Sequence, residues 1–375
     1  MREIYLDANA SSPPLACAKE AVLTLLDSIG NASSPHSMGR KARAVIDQAR
    51  TSVAQALRGQ EKELFFTSGA TEGNRWLIDA CLQSEFKQPL KIVTSPLEHP
   101  SVVKPLVYAQ SKGLISLQFL PLLNQKVVPD TILHDADVLM VSSSHNETGL
   151  ITDLEALGAQ LPPHSIFISD ATQSATRCAP LPQRVDAIVV SGHKMGAFPG
   201  VGAVLLRNNA RKLLPPWQGG GQESGLRPGT EALHLIAAFG AAAQIAPQMR
   251  QEHAKLASFR DELEQKLSQG RPWVNIIGQH LPRLPNTTAL SLAGVNGDAL
   301  RILIDAAQVC VGFGSACSAL APEPSPSLIA LGLSPDQAKA TVRLSLHPGL
   351  SPEDIQEAGT RLSAVFDSLS KLILR

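Results

Sequence analysis

The stretch Ala187-Ile188-Val189-Val190-Ser191-Gly192-His193-Lys194 decides the reading of this chain. Its apolar half has the length and character of a buried strand, and it gives way at Ser191 to polar residues and then to the glycine-rich run 196–202. A lysine left at the carboxyl edge of a sheet can form a Schiff base with an aldehyde cofactor, provided burial or nearby positive charge keeps its amine partly neutral. An isolated lysine in that position reads instead as a surface residue in a turn. The surrounding sequence has to separate the two.

Working outward, short apolar runs at 63–67, 90–94, 138–142, 165–169 and 201–206 have the same form as 187–191, and segments such as 42–57 and 154–161 carry helical apolar spacing between them. That alternation predicts an α/β fold with a mostly parallel sheet wrapped by helices, whose ligands sit beyond the carboxyl ends of the strands. After the glycine-rich stretch 219–229 comes a long helical pattern from 232 to about 267. Short strands near 288–292 and 341–346, with helices at 297–307 and 352–372, predict a second, smaller α+β domain. The Pro-rich segment 321–327 reads as an exposed loop.

The chain's bulk properties narrow the partner. Its 375 residues exceed the usual size of one core, and 33 basic residues balance 33 acidic ones, so nothing in the charge points to nucleic acid or a membrane surface. A small-molecule substrate is the expectation. Residues 1–7 lack a secretory pattern, and no apolar run approaches the roughly 18 residues of a membrane span, so the cytoplasm is the expected compartment. The five cysteines, Cys17, Cys81, Cys178, Cys310 and Cys317, are scattered without a CxxC pair or zinc-ligand spacing, which predicts reduced thiols and no metal site.

Two further clusters lie at predicted strand ends. Ser169-Asp170-Ala171-Thr172-Gln173 puts a carboxylate where the ring nitrogen of pyridoxal phosphate (PLP) could lie; that ring is an electron sink while its nitrogen stays protonated, and a buried Asp secures the proton. By itself Asp170 reads more readily as a helix cap. Thr67-Ser68-Gly69-Ala70-Thr71-Glu72-Gly73-Asn74 follows an apolar run and opens a helix, which suits a phosphate or merely an ordinary capped turn.

Together these residues give the chain a resemblance to the cysteine desulfurases, within the class V aminotransferases of PLP fold type I. The matching stretches, in order, are Tyr5-Leu6-Asp7, Gly30 through His36, Gly39-Arg40-Lys41-Ala42-Arg43, Thr67 through Glu72, Glu98-His99, Asn146-Glu147-Thr148-Gly149, Asp170 through Gln173, Ser191 through Lys194, Leu226 through Thr230, Gly314-Ser315-Ala316-Cys317 and Arg343-Leu344-Ser345. The resemblance implies a seven-stranded, mostly parallel sheet in a large PLP-binding domain over 16–250, and a smaller α+β domain from 1–15 and 251–375 that carries the catalytic-cysteine loop. It implies that Lys194 holds PLP, Asp170 partners the ring nitrogen, Gln173 donates to the ring's phenolic oxygen, His99 lies over the ring and moves protons, and Asn146 contacts the ring. Ala70, Thr71, Ser191 and His193 would hold the phosphate, completed by Thr230 from the second subunit of a homodimer. Asn31 and Arg343 would grip the substrate carboxylate, for which a guanidinium has bidentate geometry.

Cys317 is what separates a desulfurase from other class V enzymes: its thiolate would attack the sulfur of L-cysteine, leaving alanine and a persulfide. The glycines at 312 and 314 and the prolines after it suggest a loop able to carry that persulfide outward. Beyond Cys317 the spacing resembles the subgroup that delivers sulfur to scaffold and carrier proteins, for iron–sulfur assembly or tRNA thiolation. A selenocysteine lyase, another class V lyase or aminotransferase, and a non-catalytic scaffold are the alternatives; the last would have lost Lys194, Asp170 or His99, and all are present. The chain departs from the family pattern at 196–199, at His145 where an asparagine is usual, at Ser224 for an arginine, and at Pro228.

Overall fold

The computed structural model describes residues 2–83, 89–215, 217–314 and 323–373, with side chains through 370. In chain order the first half comprises β1 (Ile4–Leu6), α1 (Ala16–Leu25), α2 (Ser37–Ala56), β2 (Leu64–Thr67), α3 (Ala70–Leu82), β3 (Leu90–Thr94), α4 (Pro100–Ser111) and β4 (Ile115–Phe119). The short hairpin β5 (Leu122–Leu123) and β6 (Lys126–Val127) precedes β7 (Val138–Ser142), α5 (Leu154–Ala159), β8 (Ile166–Asp170), β9 (Ala187–Ser191) and β10 (Gly202–Leu206). The second half holds α6 (Leu233–Gln244), α7 (Ala246–Ser268), β11 (Val274–Ile276), β12 (Thr287–Leu292), α8 (Gly297–Ala306), β13 (Val309–Phe313), α9 (Pro326–Ala330), α10 (Pro335–Lys339), β14 (Thr341–Ser345) and α11 (Pro352–Ile373).

The larger sheet has seven strands in the order β2-β10-β9-β8-β7-β3-β4. Strands β9, β8, β7, β3 and β4 pair in parallel, and β10 runs against both β2 and β9. Thr67, Thr94, Ser142, Asp170 and Ser191 therefore end their strands along one edge. Side chains alternate between two cores: Val141, Phe167, Ile188 and Val190 pack with Ile46 of α2 and Phe239 of α6, whereas Met140, Ile168 and Val189 pack with Trp76 of α3 and Leu106 of α4. A sheet covered on both faces accounts for apolar runs without a polar alternation.

A five-stranded sheet, β1-β13-β14-β12-β11, forms a separate core with α7, α8 and α11. Its first strand comes from the chain's start, with Ile4 opposite Val309. From there the chain crosses to the edge of the large sheet, so Asp7, Ala8 and Asn9 lie between the two sheets. The helical pattern expected to run unbroken from 232 to 267 is two helices. Ile245, between them, leaves helical geometry at φ −97° and ψ 12°, and Pro247, lacking an N–H, sits in the first turn of α7, where no donor is needed. Within the Pro-rich segment, Pro326 likewise starts α9 behind a Ser325 cap, and Ser325 and Ser327 are buried instead of forming an exposed loop. Among the described residues no helix is long and apolar enough to cross a membrane.

Helices α2 and α6 pack closely on the large sheet. A Cβ added at Gly240 would fall 2.5 Å from the Cβ and 2.6 Å from the Cα of Ala49, so the backbones touch where no side chain can yield. Gly240→Val is expected to cost roughly 2–3 kcal/mol by overpacking, read as a lowered midpoint in urea. A midpoint equal to wild type would mean that α2 and α6 separate freely.

Candidate active site

The strand ends surround a cavity of about 380 Å³, within the range of small-molecule sites. It is lined by Ala70, Thr71, His99, Asn146, Asp170, Gln173, Ser191, His193 and Lys194, all anticipated from the sequence. Parallel pairing explains why distant residues meet here. β8 and β9 lie side by side with Asp170 opposite Val189, so the chain beyond Ser191 passes the carboxylate as it turns.

Asp170 is buried, at 8% exposure, and its two oxygens are separately held. Oδ1 accepts from the Thr172 N–H at 2.9 Å and Oδ2 from Asn74 Nδ2 at 2.9 Å. The same Asn74 nitrogen donates to Ser101 Oγ at 3.0 Å, and Ser101 Oγ lies 2.8 Å from His99 Nδ1. Nδ1 also accepts from the Ser101 backbone N–H at 3.1 Å, which can only donate. Nδ1 is therefore bare, and the neutral ring carries its proton on Nε2. Burial lowers the His99 pKa; the Asp170 charge raises it and the Lys194 charge lowers it further. The chain Asp170–Asn74–Ser101–His99 thus sets one carboxylate and one imidazole tautomer together. Asn74 closes the quoted stretch 67–74 without a role assigned to it and Ser101 was not named, because their role appears only when α3 and α4 pack.

Burial also pushes the Lys194 amine down to about 8, with Asp170 and Asp7 acting against that and Arg177 and Arg343 adding to it. His193, beside it, is lowered to about 4, chiefly by burial and then by the Lys194 and Arg177 charges. At neutral pH it is uncharged.

At the far end of the cavity α3 begins. The N–H groups of Ala70, Thr71 and Glu72 precede the helix's first internal bond, Gly73 N–H to Gly69 O at 3.1 Å, so they face the cavity as an anion site. The turn can sit there because Gly202 has no side chain: a Cβ would come within 2.6 Å of Gly69 Cα and 2.7 Å of Val190 O. Glu72 also lines the cavity, with its carboxylate held by Arg227, Nε to Oε1 at 2.9 Å, and by the Ser68 N–H at 2.7 Å to Oε2. The donor set, an anion cradle at one end, a buried carboxylate at the other and a partly neutral amine between, fits PLP.

Other anticipated residues stand elsewhere. Arg343 does not line the cavity; its Nη1 donates to Asn146 O at 3.0 Å, its Nη2 pairs with Asp7 Oδ1 at 2.5 Å, and its buried Nε has no partner among the described residues. Gly312 makes the space, since a Cβ there would meet the guanidinium at 2.6 Å. Asn31 and Thr230 are exposed and away from the cavity of this chain. Cys317 lies outside the described residues. Cys310 is half-buried on β13, and burial raises its thiol. His145, which departs from the usual asparagine, is buried behind the cavity with Nδ1 2.8 Å from Thr148 Oγ1 and is pushed down to about 3, so it is a neutral packing residue.

Residues 4–357 match the family model described as aminotransferase class-V. A protein named cysteine desulfurase IscS from a Shewanella species is 34% identical over 98% of this chain and 94% of its own length. Cysteine desulfurase IscS 1 of Archaeoglobus fulgidus is 30% identical over 98% of both. Among solved structures, a NifS-like protein from Rickettsia africae superposes with a TM-score of 0.86 at 28% identity, covering 98% of this chain and 100% of that one.

A lysine amine that titrates near 8 reacts with electrophiles at pH values where exposed lysines are still protonated, given their ordinary pKa of about 10.4. Competitive acylation of the PLP-free protein between pH 6 and 11, followed by peptide mapping, is expected to show Lys194 half-reactive near pH 8. A Lys194 profile matching the exposed lysines would show that the amine is not desolvated.

Proposed function

From the premise that the chain belongs to the class V aminotransferase family, and within it to the cysteine desulfurases, we propose that its cavity binds PLP on Lys194 and that the protein converts L-cysteine to L-alanine, leaving a persulfide on Cys317. The observation that carries this reading is the partly neutral Lys194 amine between the Asp170 carboxylate and the open N-terminus of α3. PLP, when bound, supplies an electron sink for the charge left on the substrate's α-carbon.

The protein's own groups do the rest. Ala70, Thr71, Ser191 and His193 would hold the phosphate, with α3's first N–H groups adding the positive end of the helix dipole. Asp170, fixed by Asn74 and Thr172, would keep a proton on the ring nitrogen, and Asn146 and Gln173 would border the ring. His99 presents Nε2–H to the cavity as a hydrogen-bond donor, and would deliver that proton only as Nδ1 takes up another. Lys194 is an amine suited to moving the substrate's α-proton near neutral pH. The substrate carboxylate would be held by Arg343 and Asn31. Its Cβ–S bond would break as the Cys317 thiolate forms an S–S bond with the departing sulfur, the bonding pair staying with carbon; one proton added at the former Cβ and one returned to the α-carbon complete alanine.

A second copy would complete the site. Asn31 and Thr230 are exposed in the single chain, and near Asn31 the apolar Leu23, Leu26 and Ile29 are 67%, 60% and 80% exposed. A homodimer that covers them also brings Thr230 to the partner's phosphate. The persulfide then passes to an acceptor protein, a scaffold or sulfur carrier, from the segment around Cys317.

Cys317→Ser is expected to keep PLP and still bind L-cysteine, seen as a change in the cofactor's absorbance, yet to form alanine at least roughly 100-fold more slowly, since a hydroxyl is a poor nucleophile towards sulfur. Alanine production at the wild-type rate would reject the desulfurase mechanism in favour of a lyase that does not use Cys317. Asp170→Ala should retain the fold by circular dichroism while lowering kcat by roughly 100-fold or more, because an unprotonated ring is a weaker sink. An unchanged kcat would place the ring nitrogen elsewhere.

A further inference from the structure

Arg177 is 3% exposed, and every hydrogen-bond partner it has among the described residues is neutral. Its Nη1 donates to Asn9 Oδ1 at 2.9 Å and to Gln173 Oε1; its Nη2 donates to Ala8 O at 3.1 Å and Ser12 Oγ at 3.4 Å; its Nε finds no acceptor among the described residues. Burying a guanidinium without a carboxylate is costly, and here burial lowers its pKa to about 10. Such a group needs a reason to be there.

The reason lies in what it does to Gln173. The segment after β8 coils through turns, with Ser174 N–H on Ala171 O and Arg177 N–H on Ser174 O, so residues 173 and 177 come to the same side. Because a guanidinium only donates, it fixes Gln173's amide with Oε1 towards Arg177 and Nε2 away; the flipped amide would set donors against donors. Nε2 then gives one hydrogen to Asn9 O at 3.0 Å. The second has no protein acceptor among the described residues, and Gln173 forms part of the cavity wall.

We propose that Arg177 is a positioning residue of this site: it locks the Gln173 amide so that the cavity wall donates a hydrogen bond, and it adds a fixed positive charge near Lys194. The inference rests on the reading that the cavity holds PLP, whose phenolic oxygen is the acceptor that a donating Gln173 would meet. Arg177 acts through Gln173 on the cofactor's seating and through space on the amine. The other charges acting on that amine are Asp170, Asp7 and Arg343, and the neutral His99 and His193 stand beside it.

The test uses the full-length protein and PLP itself. PLP affinity is measured by absorbance titration of apo protein, and the bound cofactor's absorbance is followed against pH. Arg177→Met is expected to weaken PLP by about tenfold, the scale of one buried hydrogen bond. In a Gln173→Met background the same change should alter affinity less than about twofold, because the amide it orients is gone. The pH midpoint of the absorbance should rise by about one pH unit on losing the cation, and Arg177→Lys should hold it close to wild type. A loss of affinity that is fully additive with Gln173→Met, or a pH midpoint no different between the Met and Lys variants, overturns the inference. Should Arg177→Met not fold, Arg177→Lys replaces it in the affinity cycle, since one ammonium cannot reproduce the guanidinium's fork, and the same non-additivity is expected. A wild-type protein that binds no PLP overturns the reading of the cavity instead; wild-type binding with an unaffected Arg177→Met overturns the inference alone.

Discussion

The constraint on which the rest depends is the parallel pairing of β8 with β9, which brings Asp170 and the chain leading to Lys194 to the same edge of a sheet covered on both faces. Strand pairing fixes this relation more firmly than loops could, and the covered faces keep water from most of it. The desolvated amine falls to about 8 while the carboxylate opposite is held by two hydrogen bonds. One fold element thus yields both the amine proposed to bond the aldehyde and the carboxylate proposed to keep a ring nitrogen protonated. The anion cradle at α3 follows from the same sheet, since β10 brings Gly202 against Gly69 and leaves the helix start facing the cavity.

Around this pair the buried polar groups are oriented by neighbours that can hydrogen-bond in only one sense. The Ser101 backbone N–H decides the His99 tautomer, and the Arg177 guanidinium decides which way Gln173 points. Asn74 ties Asp170 to Ser101, so the proposed ring-nitrogen partner and the imidazole proposed to move protons share one network. In a region of low dielectric such fixed dipoles act without reorganising.

What could be read from sequence was local. An apolar run ending in Ser191-Gly192-His193-Lys194, or in Asp170, states both a strand and the chemistry at its end, because burial and the break in pattern occur within a few residues. Roles created by packing were not legible in that way. Asn74 meets Asp170 across 96 positions and Arg177 meets Asn9 across 168, and neither residue carries a motif that announces the partner. The parallel pairing of β1 with β13 is hidden for the same reason. Periodicity carried the helical reading through Ile245, where the break comes from backbone geometry next to a proline instead of from a lost apolar residue. Asn31 and Thr230 were named by resemblance, and a single chain leaves them at its surface.

Borohydride reduction of the PLP-loaded protein, followed by peptide mass mapping, tests the central claim most directly, because it makes the bond between lysine and cofactor permanent. The account predicts the added pyridoxyl mass on the peptide containing Lys194 and on no other lysine, at close to one per chain. Labelling of a different lysine, or no stable label after loading with PLP, would contradict it.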